Sequence, residues 1–525
     1  MEASFQNKIC VATILGAVLF AELSIPSIDH PLGSDWGHYF TVAEYLWHPN
    51  PDIGYPDFRK PWFGWLMGAL GEGSTYLDAA QFLGRASALT MIVCSGILAW
   101  ALAGRWSGGV AAWVMAGLPL VLDGALWVNH YPLLGAAIGL AFAAGAAASR
   151  WRGWWWVTLS AAGAGASLVL DMRGSVAVPV ALMLVLLGSL NMGVRSALMR
   201  LLLFGGIVAS FHGHDNWLQT SFKVPQLEFE QQLKVQRKGT LGQIRQGTFD
   251  NSYLQEACAN QAVTDVSLDL LQDDCAVALR GNSYRRLTAE RHLPNSHTLW
   301  LLPLVILPFG ATRLKAFSSV LASGIVFTAP LMSLLVGMGW VTYFDRYVLP
   351  FAVVLGALVP VAFGRVAQLV GSAIPRVRGW FAFLFAVAAA AWCSTVWPGI
   401  DARGLAAPEE SRSSEYHAGV LAKWALNALG DGDGILDCAG LALDSLILPK
   451  QIDYMRYPPG DPECAAKIQS PAVRKGKSFL ITMHRDYPQN SGPQDLAFNV
   501  NAIEALGWQA VNMGVPLDGY MVWVK

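Results

Sequence analysis

Between the first two apolar segments of the chain lies DHPLGSDWGHYFTVAEYLWHPNPDIGYPDFRKPWFGWL, residues 29–66. The stretch is dense in ionisable and aromatic side chains: Asp29, His30, Asp35, Trp36, His38, Tyr39, Glu44, Trp47, Asp57, Arg59, Lys60, Trp62 and Trp65. Trp and Tyr favour the membrane–water boundary, where one part of the ring is apolar and the other is wet. We therefore expect a loop at a membrane surface that holds a polar head group attached to a lipid tail.

The composition indicates a polytopic membrane protein with one soluble appendage. Of 525 residues, 54% are hydrophobic and only 14% are charged, against about 25% charged in a soluble domain. The net charge of −1 gives no electrostatic case for nucleic acid as a partner. The first apolar run, 9–28, contains Glu22 and lacks a small-x-small cleavage site, so we interpret it as a retained anchor.

A membrane-spanning helix needs roughly 17–25 mostly apolar residues. Eleven segments approach this length, although the eighth is short and the seventh is marginal. The predicted spans are 9–28, 79–104, 108–127, 131–148, 154–171, 175–191, 196–211, 297–311, 316–338, 347–364 and 380–397.

The short loops between these spans predict an orientation. With a cytoplasmic N-terminus, the inner segments carry eleven Lys and Arg, and Glu2 is the acid among them. Inner loops of membrane proteins carry the excess of basic residues. The sequence therefore predicts a multi-pass protein of the plasma or inner membrane, with a transmembrane module over 1–400 and its C-terminal part outside.

Two long segments are predicted on that outer side besides the first loop, 29–78. The loop 212–297 contains an amphipathic segment and a cluster of arginines at Arg280, Arg285, Arg286 and Arg291. Residues 405–525 alternate helix-like and strand-like stretches, with strands in GILDCAG, KSFLITMH and GYMVWVK, and this alternation predicts a soluble α/β domain.

Cysteine positions agree with an oxidising outer side. Cys258 and Cys275 share the long loop, and Cys438 and Cys464 share the C-terminal domain. Two pairs suggest two disulfides, with free thiols as the alternative. No Cys and His spacing resembles a zinc site.

Polar residues recur at the outer ends of the predicted spans: Glu22, Arg85, Asp123, Asn129, His130, Tyr131, Asp171, Arg173, Asp345 and Arg346. A transporter would place ion-coupling residues near the midplane instead. Chemistry on a lipid-linked substrate needs a base, cations for a phosphate leaving group and apolar walls. We predict Asp35 as the base, with cations from Arg85, Arg173 or Arg346.

The chain resembles the integral-membrane glycosyltransferases of the GT-C superfamily, in particular the protein O-mannosyltransferase and aminoarabinose-transferase type. Four segments carry the resemblance: SDWGHYFTVAEYL (34–46), YPDFRKPWFGWLMGAL (55–70), LGRASALTMIVCSG (83–96) and FDRYVLPFAVVLGAL (344–358). The first is similar to the family's acidic first-loop motif, and the second to its lysine–proline run that leads into a short apolar helix.

The resemblance implies transfer of a sugar from a polyprenyl-phosphate carrier to an envelope glycan, lipid or protein at the outer face. It implies Asp35 as the base. The predicted substrate- and phosphate-binding residues are Tyr39, Asp57, Arg59, Lys60, Arg85, His130, Arg173, Arg346 and Tyr347. The family motif is often Asp-Glu, whereas here Trp36 follows Asp35. No cofactor is therefore predicted, and no motif supports a divalent metal; Asp29 and Asp57 are the substitutes for a second carboxylate.

Two other functions stay open at this point. An O-antigen-ligase or polymerase-like enzyme would use the Arg-rich 212–297 loop, so Arg280, Arg285 or Arg286 would matter more than Asp35. A non-catalytic lipid-binding or assembly subunit would use its outer α/β domain to dock a partner.

Overall fold

The protein was examined as a computed structural model. It describes residues 2–25, 36–47, 55, 60–72, 76–151, 153–189, 192–224, 321–327, 349–373, 384, 387–388, 414–430, 432–439, 453–457, 462–469, 476–483, 500–513 and 520–525.

The first part of the chain is helical. Its α-helices are α1 (Glu2–Ser24), α2 (Trp36–Trp47), α3 (Pro61–Leu70), α4 (Tyr76–Ala103), α5 (Arg105–Ala116), α6 (Pro119–Gly124), α7 (Tyr131–Trp151), α8 (Trp154–Leu170), α9 (Ala177–Ser189), α10 (Val194–Ser221) and α11 (Ala352–Ala373). Short 3-10 turns at Met172–Val176 and Leu349–Phe351 precede α9 and α11.

Five helical segments among the described residues are long and apolar enough to cross a membrane: Asn7–Ser24, Tyr76–Ala103, Tyr131–Trp151, Val194–Ser221 and Leu349–Gln368. Shorter apolar helices cover Trp154–Leu170 and Arg173–Ser189. Most of the predicted spans up to residue 211 thus have a helical counterpart. The predicted spans 297–311, 316–338 and 380–397 lie wholly or largely outside the described residues.

Helix α7 lies at the centre of the helical part and packs against α4, α8, α9 and α11. Small residues permit this close packing, as is common between membrane helices. A side chain at Gly163 of α8 would place its Cβ 2.5 Å from the backbone nitrogen of Ala141 on α7. One at Gly139 of α7 would meet Val353 of α11 at 2.6 Å.

The predicted first outer loop folds into two helices that pack on each other. Pro61 begins α3, where its missing N–H costs no hydrogen bond, and Lys60 before it is extended. Gly64 of α3 lies against Val42 of α2, so that a Cβ there would be 2.3 Å from the valine side chain. The helix α3 lies where the sequence resemblance placed a short apolar helix.

The predicted span 108–127 is broken in the structure, contrary to the expectation of one continuous helix. Helix α5 ends at Ala116, and α6 begins anew at Pro119. Proline lacks an N–H and its ring clashes with the carbonyl of the preceding turn, so the helix cannot run through it. The break is followed by the turn that carries His130.

Helix α10 extends ten residues beyond the predicted end of its span, to Ser221. The start of the predicted 212–297 loop is therefore helical. Contacts with α3 support this polar extension, since Phe211 packs on Trp62 with ring centroids 5.7 Å apart. Near its other end, the fully buried Arg200 lies over the ring of Trp154, at 5.6 Å from the centroid.

The C-terminal part forms a five-stranded mixed sheet in the order β2-β1-β3-β5-β4. Its elements are α12 (Ser414–Ala428), β1 (Gly434–Asp437), β2 (Asp453–Arg456), α13 (Pro462–Gln469), β3 (Ser478–Met483), α14 (Val500–Ala505), β4 (Gln509–Ala510) and β5 (Tyr520–Val524). Strands β2, β1 and β3 are parallel, and β5 is antiparallel to both β3 and β4. The three strands predicted from the sequence coincide with β1, β3 and β5.

A disulfide joins Cys438, directly after β1, to Cys464 of α13, with 5.9 Å between the Cα atoms. This is one of the two pairs suggested by the sequence. The other pair, Cys258 and Cys275, lies outside the described residues. Trp523 of β5 fills the adjacent core, and its indole N–H donates to the Thr482 hydroxyl at 2.8 Å.

Candidate functional site

Three distant segments meet in one buried hydrogen-bonded network. The Tyr39 hydroxyl is hydrogen-bonded to Nδ1 of His130, and Nε2 of His130 lies 3.0 Å from Oδ2 of Asp171. Arg173 and Tyr131 complete the group, which we call the His130 network. Tyr39 and His130 are only 2% and 7% exposed.

The fold brings these segments together because α7 and α8 are consecutive helices that pack on each other. His130 immediately precedes α7, and Asp171 immediately follows α8, so both lie at the same end of the pair. Tyr39 comes from α2, and its ring meets the edge of Phe63 on α3 at 5.0 Å between centroids. The packing of α2 on α3 thus fixes the direction of the Tyr39 hydroxyl.

The Asp171 carboxylate is ionised and held by several donors. Burial alone would raise the pKa of this carboxyl, but the Arg173 guanidinium and the hydrogen bond from His130 outweigh burial and hold the pKa well below its usual range. The backbone N–H of Arg173 also donates to Oδ1 at 2.8 Å, so Asp171 caps the 3-10 turn that follows.

This ionisation determines the arrangement of protons on His130. A carboxylate only accepts hydrogen bonds, so the Nε2 atom facing Asp171 carries a proton. The hydrogen bond between Nδ1 and the Tyr39 hydroxyl then has one of two directions. The hydroxyl donates to the neutral imidazole, and Nδ1–H donates to the hydroxyl oxygen in the imidazolium. Asp171, His130 and Tyr39 form a chain in which every polar group has its partner.

Arg173 supplies a cation beside this chain. Its Nη1 donates to the Tyr131 hydroxyl at 3.0 Å and lies 4.0 Å from Oδ2 of Asp171. The guanidinium also lies over the Tyr131 ring, 5.8 Å from its centroid. These contacts hold a permanently charged group in one place, which is the arrangement suited to a phosphate oxygen.

A second polar group lies on the other side of α3. Lys60 Nζ is 3.4 Å from Oδ2 of Asp215 on α10, and Gln219 donates to the same oxygen at 2.8 Å. The rings of Trp62, Trp65 and Trp217 surround His214. We call these seven residues the Asp215 cluster: Lys60, Trp62, Trp65, His214, Asp215, Trp217 and Gln219.

The remaining predicted cation with a described position is Arg85. Its Nη1 lies 3.6 Å from Oε1 of Glu22, and both side chains are partly exposed. Exposed pairs of this kind contribute about 0–1 kcal/mol. Within the described ranges, no group of three or more His, Cys, Asp or Glu is placed to hold a metal ion.

The structure thus joins Tyr39, His130 and Arg173 in one network, whereas Lys60 pairs with Asp215 and Arg85 with Glu22. The other predicted site residues lie outside the described residues: Asp35, Asp57, Arg59, Arg346 and Tyr347.

The sequence did not identify some residues that take part in these contacts. Asp215 and His214 were predicted to lie in a loop, because the predicted span ended at residue 211. Their spacing from Phe211 and Leu218 along one helix was the signal available. Glu44 is a further case, since its Oε2 accepts from the Tyr76 hydroxyl at 2.7 Å and ties α2 to α4.

Comparison with known families and proteins by sequence gives no match. No family model matches the chain. No curated protein matches it either.

Solved structures do match. ArnT from Cupriavidus metallidurans, bound to undecaprenyl phosphate, aligns with a TM-score of 0.51 and 15% identity over 98% of this chain and 97% of that chain. The archaeal oligosaccharyltransferase AglB from Archaeoglobus fulgidus, in complex with an inhibitory peptide and a dolichol-phosphate, aligns with a TM-score of 0.45 and 12% identity. That alignment covers 85% of this chain, which spans only 64% of the length of AglB.

The likeness to ArnT extends over nearly the whole of both chains, so the two share a fold. The resemblance to the GT-C superfamily indicated by the sequence is confirmed at the level of the fold.

Proposed function

We propose that this protein is a glycosyltransferase that moves a sugar from a polyprenyl-phosphate carrier to an envelope acceptor, which is a lipid, a glycan or a protein. The observation that carries the proposal is the bond between Tyr39, four residues after Asp35, and the buried His130–Asp171 pair. The fold shared with ArnT, whose structure contains undecaprenyl phosphate, supports the same function.

The chain itself limits how far Asp35 can lie from the network. Four residues of extended chain span at most about 14 Å, which limits the distance between the Cα atoms of Asp35 and Tyr39. Tyr39 is the fixed point, because its ring and its hydroxyl are both held. We infer that the His130 network positions the segment that carries the base.

The proposed reaction is a displacement at the anomeric carbon of the donor sugar. The acceptor oxygen forms a bond to that carbon while the bond from carbon to phosphate oxygen breaks. The electron pair of the broken bond remains on the polyprenyl phosphate, and the proton of the acceptor hydroxyl passes to the Asp35 carboxylate. A positioned base of this kind contributes typically 10²–10⁴-fold to the rate.

The leaving phosphate gains negative charge in this step, so cations near it stabilise the transition state. Arg173 is the described candidate in the network. Arg59, Arg85, Arg346 and Tyr347 complete the set that we propose for the phosphate, with Asp57 and His130 on the substrate side. Lys60, which the sequence predicted for the same role, pairs with Asp215 instead.

The proposal includes an orientation. The distribution of Lys and Arg supports a cytoplasmic N-terminus, eleven spans within residues 1–400, and an α/β domain over 405–525 on the outer face. The His130 network would then lie at the outer ends of α7 and α8, where a lipid-linked donor is accessible.

The test uses purified protein in detergent, a panel of polyprenyl-phosphate sugars and mass spectrometry of the remaining donor. We expect wild type to consume at least one donor and Asp35→Asn to lose at least about 10²-fold in rate. Asp52→Asn, an isosteric change in the same loop, is the matched control and should retain activity. Equal turnover in Asp35→Asn and wild type would exclude Asp35 as the base.

If wild type consumes no donor, donor binding is measured next. Donor binding without turnover supports the transferase if donor consumption begins once an envelope extract is added as a source of acceptor. No binding of any donor contradicts it and favours a ligase-like enzyme that uses Arg280, Arg285 or Arg286, or an assembly subunit.

A further inference from the structure

We propose that the Asp215 cluster is a binding site for a carbohydrate ring, separate from the His130 network. The cluster joins the first turn of α3 to the last two turns of α10. Asp215 is 3% exposed and lies on a helix that is apolar enough to span a membrane. Burying an acid is costly unless its oxygens are paired, so the environment of Asp215 needs a physical explanation.

Three buried polar atoms of the cluster make no hydrogen bond within the described part of the chain. They are Oδ1 of Asp215, Nδ1 of His214 and Nε1 of Trp62. Buried polar groups in native proteins are nearly always paired, with protein, water or ligand. Together they offer one acceptor, one donor and one imidazole nitrogen that either donates or accepts, which matches the mixed character of sugar hydroxyls.

The aromatic rings supply the apolar part of such a site. The His214 ring centroid lies 4.8 Å from that of Trp62 and 5.3 Å from that of Trp65. Trp217 lies at 5.3 Å on a further side and is 54% exposed. Ring faces carry partial negative charge and attract the weakly positive C–H groups of a sugar face.

The charges favour a neutral ligand. Lys60 and Asp215 already face each other at 3.4 Å, so their charges offset one another. A phosphate at this place would meet the free oxygen of Asp215, and a cation would meet Lys60. A neutral, polyhydroxylated ring is repelled by neither Asp215 nor Lys60.

An aromatic belt at the membrane surface would account for the tryptophans alone. In such a belt, however, the indole N–H reaches water or a lipid head group. Nε1 of Trp62 is instead buried beside His214. The belt also leaves Oδ1 of Asp215 unexplained, whereas a bound sugar satisfies both atoms.

The choice of a sugar over another neutral polar ligand rests in part on the proposed function. The binding test does not depend on turnover. Full-length protein in lipid nanodiscs is titrated with methyl glycosides of glucose, mannose, galactose and arabinose, and binding is followed by saturation-transfer NMR. Trp62→Phe keeps an aromatic ring but removes the N–H, and His214→Phe keeps a ring but removes Nδ1. Trp113→Phe, on α5 and exposed, is the control.

We expect at least one glycoside to bind wild type and Trp113→Phe alike. Trp62→Phe and His214→Phe should each weaken that binding about tenfold. Each variant should keep a cooperative melting transition, which shows that the loss of binding is not a loss of folding. The proposal is overturned if no glycoside binds wild type, or if both variants bind as tightly as wild type, which leaves water as the sole occupant.

A second arm identifies the origin of the sugar. Binding of undecaprenyl-phosphate sugar is compared with that of bare undecaprenyl phosphate, in wild type and in Trp62→Phe. A loss confined to the sugar-bearing lipid assigns the site to the donor, and a loss confined to free glycosides assigns it to the acceptor. If no donor is bound or consumed but glycoside binding still depends on Trp62, the proposed function fails and the site stands.

Discussion

The hydroxyl of Tyr39 and Nδ1 of His130 are hydrogen-bonded although 91 positions separate them in the chain. The bond ties the first-loop helix α2 to the turn that precedes α7. His130 in turn contacts Asp171, so α2 is coupled to the ends of two packed helices. The position of any segment attached to α2, including the one that carries the proposed base, therefore depends on this contact.

Replacing Tyr39 by Phe should lower donor consumption about tenfold or more, because small misplacements of a catalytic segment are costly. The ring still packs on Phe63, so the free energy of unfolding should fall by only about 1–3 kcal/mol for the unpaired Nδ1 of His130. Tyr45→Phe is the matched control on the same helix, since it removes a bond of 2.8 Å to the carbonyl of Phe222. Equal turnover in the two variants would show that the His130 network does not position the base.

Asp171 should make stability depend on pH. Its folded pKa lies below the unfolded value, which is about 3.9. The stabilisation is therefore complete above about pH 4 and is lost as the pH falls through the folded pKa. At pH 7, Asp171→Asn should lower the free energy of unfolding by roughly 3–5 kcal/mol.

Thermal unfolding of both proteins between pH 7 and about pH 3 measures this. The wild-type melting temperature should fall toward that of Asp171→Asn as the pH decreases. Two parallel curves would mean that the carboxylate of Asp171 carries no net stabilisation.

Gly174 should tolerate no side chain. A Cβ there would lie 1.9 Å from the carbonyl oxygen of Ser167 at the end of α8, and backbone cannot yield easily. Gly174→Ala should lower stability by about 1–3 kcal/mol or more and shift Arg173 away from Tyr131. Gly205 of α10 has nothing within 4 Å of the corresponding Cβ, so Gly205→Ala should be neutral or stabilising by up to about 1 kcal/mol. Melting temperatures of the two variants decide the comparison, and an unaffected Gly174→Ala would contradict the tight turn.

The Cys438–Cys464 disulfide should stabilise the C-terminal sheet. It closes a loop with a sequence separation of 26, for which the chain-entropy estimate is about 3.5 kcal/mol. Replacing both cysteines by Ser should increase hydrogen exchange in β1 and β3 while leaving α7 protected. Reductant should reproduce the effect in wild type and add nothing to the double variant. Unchanged exchange in that variant would show that the bond is dispensable.

Hydropathy was sufficient to predict the helices around α7, because a helix in a membrane satisfies its own backbone hydrogen bonds and needs only an apolar run. Four short motifs indicated the kind of fold, which the likeness to ArnT confirms. The charge bias predicted the orientation, which stays a prediction. The break at Pro119 was also readable in the sequence, since proline's effect is local. Because the residues on both sides of Pro119 are apolar, the sequence was interpreted as one continuous span.

The extension of α10 and the partners of each polar side chain were beyond the sequence. Whether residues 212–221 continue a helix depends on packing against Trp62, a residue about 150 positions away. Spacing placed Tyr39, His130 and Arg173 near one membrane face, but Lys60 shares the loop of Tyr39 and pairs with Asp215 instead. Local composition limits the depth of a side chain in the membrane, whereas its contacts follow from which helices pack together, and that packing is a property of the whole chain.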